Sequence, residues 1–265
     1  NIGAGRIVYQ DITRIDLAIK EREFFENKEL LNAFEYAKKN NGKVHLMGLV
    51  SDGGVHSSDN HYFALIDLAK KLDFHNLFVH AFMDGRDTPP TSGVKHIENL
   101  HNKLEENGVG RIATVSGRFY AMDRDKRWER VEKAYRAIAQ AQSEEKFDCP
   151  VKAVEKSYED GKTDEFIIPR VILNEKMPYN GVDDGDAVIF FNFRADRARE
   201  LSHVFLDEEF NSFDRIKKYD LYYVTMTDYD KTLENVHIAF PANQMTNILG
   251  DILAQNGLKQ LRIAE

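Results

Sequence analysis

The 265-residue chain has few of the residues and patterns that mark specialised classes of protein. It contains one cysteine (Cys149), one tryptophan and six prolines. A single cysteine excludes an intrachain disulfide framework and is typical of a reducing compartment, so we expect a cytoplasmic location. No run of about 18 apolar residues occurs, so the sequence predicts no membrane-spanning helix. With 42% hydrophobic and 30% charged residues, the composition indicates a compact globular protein.

An excess of basic residues is also missing. The chain carries 36 Lys and Arg against 44 Asp and Glu, and its formal net charge is −8. Because a duplex-binding surface needs a basic face to neutralise phosphates, this balance argues against nucleic acid as a partner. The stretch Ser116–Arg130 mixes arginines with aromatic residues, as single-strand binders do, but Asp123, Asp125 and Glu129 offset most of its charge.

What the chain does have is a local concentration of arginine. Eight of its arginines lie in three short stretches, which contain Arg86, then Arg118, Arg124, Arg127 and Arg130, and then Arg194, Arg197 and Arg199. A guanidinium group presents paired N–H donors that match carboxylate and phosphate oxygens two at a time. In an otherwise acidic chain, this distribution predicts a pocket for a small molecule that carries both kinds of anion.

Apolar runs and amphipathic segments alternate along the chain and predict its fold class. Five runs are expected to form strands: Lys43–Val50, Asn76–Met83, Arg111–Val115, Ala187–Phe193 and Leu221–Met226. Helical patterns cover Lys28–Lys39, His61–Leu72, Gly93–Asn107, Lys126–Ala141 and Arg197–Leu206. Nearly continuous apolar strands separated by helices predict an α/β fold, with a mainly parallel central sheet and helices on both faces. Cys149–Asp186 is expected to be irregular apart from a helix at Ala153–Tyr158, and a short helix is expected within Asn243–Gln255.

The charged motifs all follow predicted strands. They are SDGGVHS (Ser51–Ser57), DGRDTPP (Asp84–Pro90), SGRFYAMDRDKRWER (Ser116–Arg130) and FFNFRADRAR (Phe190–Arg199). In open α/β sheets, ligands bind in the crevice outside the carboxyl ends of the strands. We therefore expect the polar residues of these four segments to converge on one edge of the sheet.

The first two motifs have both a functional and a purely structural interpretation. The SDGGVHS loop can offer the backbone N–H groups of Gly53 and Gly54 to an anion beside His56, or it can be an ordinary turn with His56 on its surface. In DGRDTPP, two prolines stiffen a loop that can position Arg86. Alternatively, the aspartates and the arginine of that loop pair only with each other.

The third motif contains arginines of two kinds. Arg118 and Arg124 precede a predicted helix and are the better candidates for binding a ligand. Arg127 and Arg130 fit the solvated face of that helix, and we expect them to be structural, like Arg199 of the fourth motif.

The fourth motif points most clearly to a ligand. A very apolar strand delivers Asn192, Arg194 and Arg197 to the start of a helix, whose N-terminus adds partial positive charge and free N–H groups. Two arginines at i and i+3 can point at one ligand. The structural alternative is that Asp196 and Glu200 neutralise them.

Several common catalytic and binding patterns do not occur in the sequence. The nine histidines are scattered without an H-E-x-x-H motif, and one cysteine cannot form a Cys/His zinc site. A G-x-S-x-G nucleophile elbow, a P-loop and a G-x-G-x-x-G fingerprint are also missing. The last absence argues against a dinucleotide or nucleotide-sugar enzyme.

Taken together and in this order, NIGAGR, LVSDGGVHS, HAFMDGRDTPP, SGRFYAMDRDKRWERVEKAYRA, FNFRADRAR and KQLRIAE resemble the cofactor-independent phosphoglycerate mutases. The resemblance runs from residue 1 to residue 265. It implies an alkaline-phosphatase-like domain with a nucleophilic serine and two Mn²⁺ or related ions, into which a substrate-binding domain is inserted. By that pattern, residues 1–10 end the phosphatase-like part, 11–242 form the inserted domain, and 243–265 return to the phosphatase-like part. The chain begins without methionine and ends within a motif, so we expect a fragment that lacks the serine and the metal ligands.

The resemblance also implies a reaction and a set of site residues. The parent enzyme would interconvert 3-phosphoglycerate and 2-phosphoglycerate through a phosphoserine, without added bisphosphoglycerate, and would be monomeric; the fragment alone would be inactive. Carried over by position, the substrate ligands are His56, Arg86, Asp87, Arg118, Arg124, Arg194 and Arg197, and Asp87 would exchange protons with the glycerate hydroxyls. The alternative from another functional class is a non-catalytic binding module for phosphorylated carboxylic acids.

Overall fold

A single eight-stranded sheet organises the protein. The computed structural model describes residues 2–242 and 245–261. The strands are β1 (Val44–Leu49), β2 (Leu77–Met83), β3 (Arg111–Gly117), β4 (Lys146–Phe147), β5 (Arg170–Ile172), β6 (Ala187–Phe190), β7 (Tyr222–Thr225) and β8 (Val236–Ile238). Their order across the sheet is β4-β5-β3-β2-β1-β6-β7-β8.

The connections between strands reverse direction beside β1. The chain first moves outward through β2 and β3, and it later returns to the other side of β1 and moves outward through β6, β7 and β8. All pairings are parallel except that of β3 with β5. The predicted α/β fold with a mainly parallel sheet is confirmed, and the crevice between β1 and β6 is its topological switch point.

The helices lie on both faces of the sheet, as predicted. They are α1 (Asp11–Lys20), α2 (Lys28–Lys39), α3 (Asp59–Lys71), α4 (Gly93–Asn107), α5 (Arg118–Ala121), α6 (Trp128–Gln140), α7 (Pro150–Glu159), α8 (Arg199–Leu206) and α9 (Leu249–Gln255). The predicted bounds of α2 and α4 agree with the structure. Helix α1 was not predicted: no side chain caps its N-terminus, so the usual signal of a helix start is missing.

Neighbouring residues of the central strands contribute to hydrophobic cores on opposite faces of the sheet. On β1, Leu46 belongs to the core beneath α2, α3 and α4, whereas Met47 belongs to the core beneath α6 and α8. On β6, Ile189 and Phe190 divide in the same way. Both faces of the central strands are therefore buried, which explains why their sequences are mostly apolar rather than alternating between apolar and polar residues.

The stretch that was expected to be irregular is more ordered than the sequence indicated. Its helix extends over all of α7, with Pro150 in the first turn, and β5 adds an antiparallel strand beside β3. Strand β5 has only three residues, and all of them are buried, so it is too short for a periodicity to appear. At the other end of the chain, α9 lies within the predicted segment, while Asn243, Gln244 and the final residues 262–265 of the KQLRIAE motif lie outside the described residues. Within the described part, no helix is both long and apolar enough to cross a membrane.

A chain of hydrogen bonds crosses the sheet between three strands. Nε2 of His45 lies 3.0 Å from Asp186, Nδ1 of His45 lies 3.0 Å from Nε2 of His80, and Nδ1 of His80 lies 2.9 Å from the hydroxyl of Thr114. Because Asp186 can only accept, the protons must run in one direction: Thr114 donates to His80, His80 to His45, and His45 to Asp186. Both rings are completely buried, and burial lowers the pKa of His45 and, more strongly, that of His80.

This arrangement predicts that the protein loses stability at mildly acidic pH. A histidine whose pKa is lowered by folding stabilises the folded state above its unfolded pKa of 6.5, and this contribution disappears as the pH falls below that value. As the pH falls below 6.5, each such histidine lowers the free energy of unfolding by up to about 1.4 kcal/mol per pH unit. Urea unfolding between pH 8 and pH 5 should show this slope in the wild type and a shallower one in His45→Asn. The control variant His101→Gln, which changes a half-buried histidine outside this chain of hydrogen bonds, should keep the slope. A free energy of unfolding that stays flat below pH 6.5 would refute this prediction.

Candidate functional site

The carboxyl ends of four neighbouring strands bring the sequence-predicted residues to one edge of the sheet. The loop after β1 carries His56, the loop after β2 carries Arg86 and Asp87, the segment after β3 carries Arg118 and Arg124, and the segment after β6 carries Arg194 and Arg197. We call these seven residues the anion site. They surround the switch point between β1 and β6, where the geometry of an open α/β sheet creates a crevice.

The floor of the anion site is organised by Asp84, which is 2% exposed. Its carboxylate accepts hydrogen bonds from the hydroxyl of Ser51 at 2.7 Å, from Nη1 of Arg118 at 2.7 Å, and from the backbone N–H groups of Arg86 and Asp87 at 3.2 and 2.9 Å. Burial alone would raise the pKa of Asp84, but these donors outweigh it and lower the pKa. One ionised carboxylate thus ties together the ends of β1, β2 and β3.

Arg118 is the buried cation of the site and is 3% exposed. Its Nη1 donates both to Asp84 at 2.7 Å and to Oδ2 of Asp87 at 2.6 Å. Burial would lower the pKa of Arg118, but the two carboxylates outweigh it and raise the pKa. The structure therefore pairs the aspartates of the DGRDTPP loop with an arginine from the next strand, rather than with Arg86 between them.

The turn that carries Arg86 depends on a glycine. Gly85 has φ of +65°, and a Cβ at this position would lie 2.8 Å from the backbone nitrogen of Glu165. Only glycine fits both the left-handed backbone and this close approach. Arg86 itself is 57% exposed at the side chain, and its Nη1 lies 3.5 Å from Glu165. Its guanidinium group is therefore available at the rim of the site.

His56 lies between two carboxylates and is 3% exposed. Its Nε2 lies 3.8 Å from Oδ2 of Asp87, and its Nδ1 lies 3.7 Å from Oδ1 of Asp196. Its backbone carbonyl accepts from the N–H of Phe193 at 2.8 Å, which fastens the loop after β1 to the segment after β6. Burial and the charge of Arg118 lower the pKa of His56 to about 4, so the ring is neutral at physiological pH. The interpretation of His56 as a surface residue of a turn is wrong.

Asp196 connects two exposed arginines across the crevice. Its Oδ2 accepts a hydrogen bond from Arg124 at 3.1 Å, and its Oδ1 lies 3.0 Å from Nε of Arg194. Burial would raise the pKa of Asp196, but Arg194, His56 and Arg124 outweigh it and lower the pKa. Asp196 therefore neutralises Arg194 in part, as the structural alternative predicted. Glu200 does not act in this way, because its carboxylate accepts from the backbone N–H of Lys126.

Arg197 shows how closely the cations approach each other. Its Nη1 donates to the backbone carbonyl of Met122 at 3.1 Å, and burial together with the charges of Arg124, Arg118 and Arg86 lowers its pKa. The lowered pKa of Arg197 reflects repulsion between its guanidinium group and the neighbouring arginines, and an anion bound among them relieves that repulsion. The arginines at three of the four strand ends thus create a local concentration of positive charge in a chain of net negative charge.

A cleft of about 490 Å³ opens beside the site. Its walls include Gly54, Phe193 and Arg194 together with the carboxylates of Asp11 and Asp228. This volume is within the usual range for small-molecule sites. Arg194 belongs to both the cleft and the anion site, so a bound molecule has access to the arginines from this side.

The arginines that were expected to be structural have protein partners. Arg127 pairs with Asp123 and Asp125, the guanidinium of Arg130 lies 3.8 Å from the centroid of the Phe119 ring, and Nε of Arg199 donates to the carbonyl of Tyr229. Among residues 2–242 and 245–261, no three His, Cys, Asp or Glu side chains group so that they could hold a metal ion.

Comparison with known proteins identifies the family. A family model described as the BPG-independent PGAM N-terminus, where PGAM is phosphoglycerate mutase, matches residues 15–231. The chain belongs to the BPG-independent phosphoglycerate mutase family. The 2,3-bisphosphoglycerate-independent phosphoglycerate mutases of Clostridium perfringens (strain SM101) and Listeria monocytogenes (serotype 4b) are 55% and 53% identical to it and cover 100% of it. The chain in turn covers 51% and 52% of them, so it spans about half the length of the curated relatives it matches.

A solved structure of a phosphoglycerate mutase has the same fold. The crystal structure of Leishmania mexicana phosphoglycerate mutase at low cobalt concentration matches this chain with a TM-score of 0.83 and 34% sequence identity. The match covers 97% of this chain and 48% of that one. The resemblance of the motifs to phosphoglycerate mutases is thereby confirmed at the level of both sequence and fold.

Three residues that organise the anion site were not predicted from the sequence to do so. Ser51 and Asp84 belong to the SDGGVHS and DGRDTPP motifs, but their side chains make hydrogen bonds within the protein. The linear sequence does not show that these two residues are in contact. For Asp196, the sequence indicates only that it can neutralise an arginine. The sequence signal that could have identified Asp196 is its position between two arginines, Arg194 and Arg197, in the segment after β6.

The contact between Ser51 and Asp84 yields a testable prediction. Ser51→Ala removes one donor from a buried carboxylate, so it should lower the free energy of unfolding by about 1.5–3 kcal/mol. Ser92→Ala, which removes an exposed hydroxyl that donates to the carbonyl of Pro89, should change it by less than about 0.5 kcal/mol. Urea denaturation of both variants measures the difference. Equal stability of the two would show that Asp84 does not depend on Ser51.

Proposed function

We propose that this chain is the substrate-binding half of an enzyme that interconverts 3-phosphoglycerate and 2-phosphoglycerate in glycolysis and gluconeogenesis. The observation that supports it most strongly is the convergence of five arginines from three strand ends around His56 and Asp87. Phosphoglycerate carries a carboxylate and a phosphoryl group on a three-carbon chain. Arginines on several sides of one crevice can bind both groups at once and in a fixed orientation.

The buried and exposed parts of the site have different roles in this proposal. Arg118 and Asp84 form a rigid floor, whereas Arg86, Arg124 and Arg194 are 57%, 47% and 51% exposed at their side chains. The exposed groups can move to meet an anion that arrives from solvent. Because they approach from the loops after β2, β3 and β6, they can enclose the ligand and hold it in place.

Retention of the intermediate explains why so many arginines are needed. A mutase that works through a phosphoserine splits the transfer into two steps, and the free glycerate must stay bound between them. Its carboxylate is then its only charge, so fixed guanidinium groups are the means of holding it. Arginines near the transferring phosphoryl group also offset its negative charge.

Asp87 and His56 are the groups proposed to contact the glycerate hydroxyls. Oδ2 of Asp87 is held by Arg118, and Nε2 of His56 lies 3.8 Å away, so a hydroxyl between them could contact both. We propose that Asp87 exchanges protons with that hydroxyl. General acid–base catalysis requires such a group within hydrogen-bond reach of the reacting oxygen.

The metal ions and the nucleophile of the proposed reaction belong to the other half of the enzyme. The described residues do not fit a divalent ion, because no suitable group of three donors exists among them. The Leishmania structure was determined at low cobalt concentration, which favours a divalent ion in the family. We propose two Mn²⁺ ions bound outside this chain, together with the nucleophilic serine; such ions supply Lewis-acid stabilisation of the phosphoryl group. This chain supplies binding and proton exchange.

The remaining features of the parent enzyme are proposed on the same grounds. Residues 11–242 form the inserted substrate-binding domain, and residues 1–10 and 243–265 belong to connections with the phosphatase-like domain. The parent is monomeric and cytoplasmic and uses no bisphosphoglycerate. By itself the fragment binds without catalysing, since it lacks the nucleophile.

One alternative function uses the same geometry: a binding module for phosphorylated carboxylic acids that never catalyses. Phosphorus-31 NMR of the full-length protein incubated with 3-phosphoglycerate separates the two functions. The mutase produces the signal of 2-phosphoglycerate until equilibrium is reached, without added bisphosphoglycerate. Line broadening of the 3-phosphoglycerate signal with no product would instead support the binding module.

A further inference from the structure

Two buried polar atoms face each other in the anion site without a hydrogen bond. Nδ1 of His56 and Oδ1 of Asp196 lie 3.7 Å apart, and neither makes a hydrogen bond within the described part of the chain. An N–H···O bond requires about 2.7–3.2 Å. Buried polar atoms are normally paired, so a pair of this kind at the centre of a site indicates a contact that forms with a small shift.

The surroundings of His56 decide which of its nitrogens carries the proton. The neutral ring has one N–H, and a carboxylate lies on each side of it. Oδ2 of Asp87 already accepts a hydrogen bond from Arg118 at 2.6 Å. Oδ1 of Asp196 lies 3.0 Å from Nε of Arg194, but outside hydrogen-bond geometry, so it keeps its capacity to accept. The proton is therefore more stable on Nδ1, toward Asp196.

We infer that Asp196 is a positioning residue, whose carboxylate fixes the His56 tautomer with the proton on Nδ1 and leaves Nε2 to accept a hydrogen bond from a hydroxyl of the substrate. The inference rests on the proposed function for the identity of that hydroxyl. The same carboxylate holds Arg124 through Oδ2 and lies against Arg194 through Oδ1. One side chain thus orders three groups of the anion site before the substrate arrives.

The substitution Asp196→Asn removes the negative charge of this side chain and keeps its size and shape. The carboxamide is the same size, but its NH₂ group can donate to Nδ1, which favours the opposite tautomer with the proton on Nε2. We expect kcat to fall about 10- to 100-fold, the range found for partners that orient metal-ligating histidines. Asp125→Asn is the matched control. It also removes a carboxylate that pairs with an arginine, but Arg127 lies outside the anion site, so turnover should be unchanged.

The tautomer can be read directly by nitrogen-15 NMR of the full-length protein labelled at histidine. The His56 signals are identified by their loss in His56→Gln. The expected result is a neutral ring with the proton on Nδ1 in the wild type and on Nε2 in Asp196→Asn, with kcat reduced only in the latter and not in Asp125→Asn. A proton on Nε2 in the wild type, or an unchanged tautomer in Asp196→Asn, would overturn the role of Asp196. This measurement needs no turnover, so a wild type without mutase activity would refute the proposed function separately.

Discussion

Arg194→Ala in the full-length enzyme is expected to reduce kcat/KM by about 10³-fold or more while leaving the fold intact. Arg194 is half-exposed, and its ion pair with Asp196 is of the surface type that contributes about 0–1 kcal/mol to stability. The effect of the substitution on the reaction is much larger. It removes a cation that binds the anionic substrate and that offsets the negative charge of the transferring phosphoryl group. Steady-state kinetics and thermal unfolding of the same preparation measure the two effects.

Arg130→Ala provides the matched control, because it should reduce stability and leave turnover nearly unchanged. Arg130 stacks on Phe119 and lies 3.7 Å from Asp123, so its truncation removes packing and a cation–π contact. We expect a loss of stability of about 1 kcal/mol and nearly unchanged turnover. Near-normal turnover in Arg194→Ala would show that the segment after β6 does not bind the substrate.

Arg118→Ala is expected to damage both stability and activity. Its removal leaves the carboxylates of Asp84 and Asp87 without their shared cation, in surroundings where Asp84 is almost completely buried. Breaking a buried ion pair by removing one partner typically costs about 3–5 kcal/mol. The three strand ends joined through Asp84 would then lose their common geometry, so kcat/KM should fall at least as far as in Arg194→Ala.

Arg118→Lys distinguishes the two roles of this residue. Both hydrogen bonds to the aspartates come from Nη1, so one ammonium group at the same place can make them. It cannot present a second nitrogen to a ligand, as the forked guanidinium does. We therefore expect the lysine variant to recover most of the stability lost in Arg118→Ala and little of the activity. Full recovery of activity would mean that Arg118 only supports the floor and does not contact the substrate.

The sequence predicted those parts of the protein that have a long and regular pattern. Helices α2 and α4 extend over three or four turns and were placed with the observed bounds. Strand β5 and helix α1 were not found: the first is shorter than any detectable period, and the second starts without a capping side chain. The position of the anion site followed from topology, because residues after parallel strands meet at one edge.

The pairings inside the site could not be predicted in this way. In DGRDTPP the nearest cation to Asp84 and Asp87 along the chain is Arg86, and a local pairing is the simplest expectation. The fold instead places the end of β3 beside that of β2, which delivers Arg118 to both carboxylates and releases Arg86 toward solvent. Such a choice depends on the alignment of two strand ends in space, and this information is not contained in the spacing of residues.

The most direct test of the central claim is a crystal structure of the full-length protein with 3-phosphoglycerate. We predict that the ligand lies at the carboxyl edge of β1 and β6, with its anionic groups within hydrogen-bond distance of Arg86, Arg194 and Arg197 and a hydroxyl beside Asp87. A ligand bound elsewhere, with these arginines still paired only to protein groups, would contradict it.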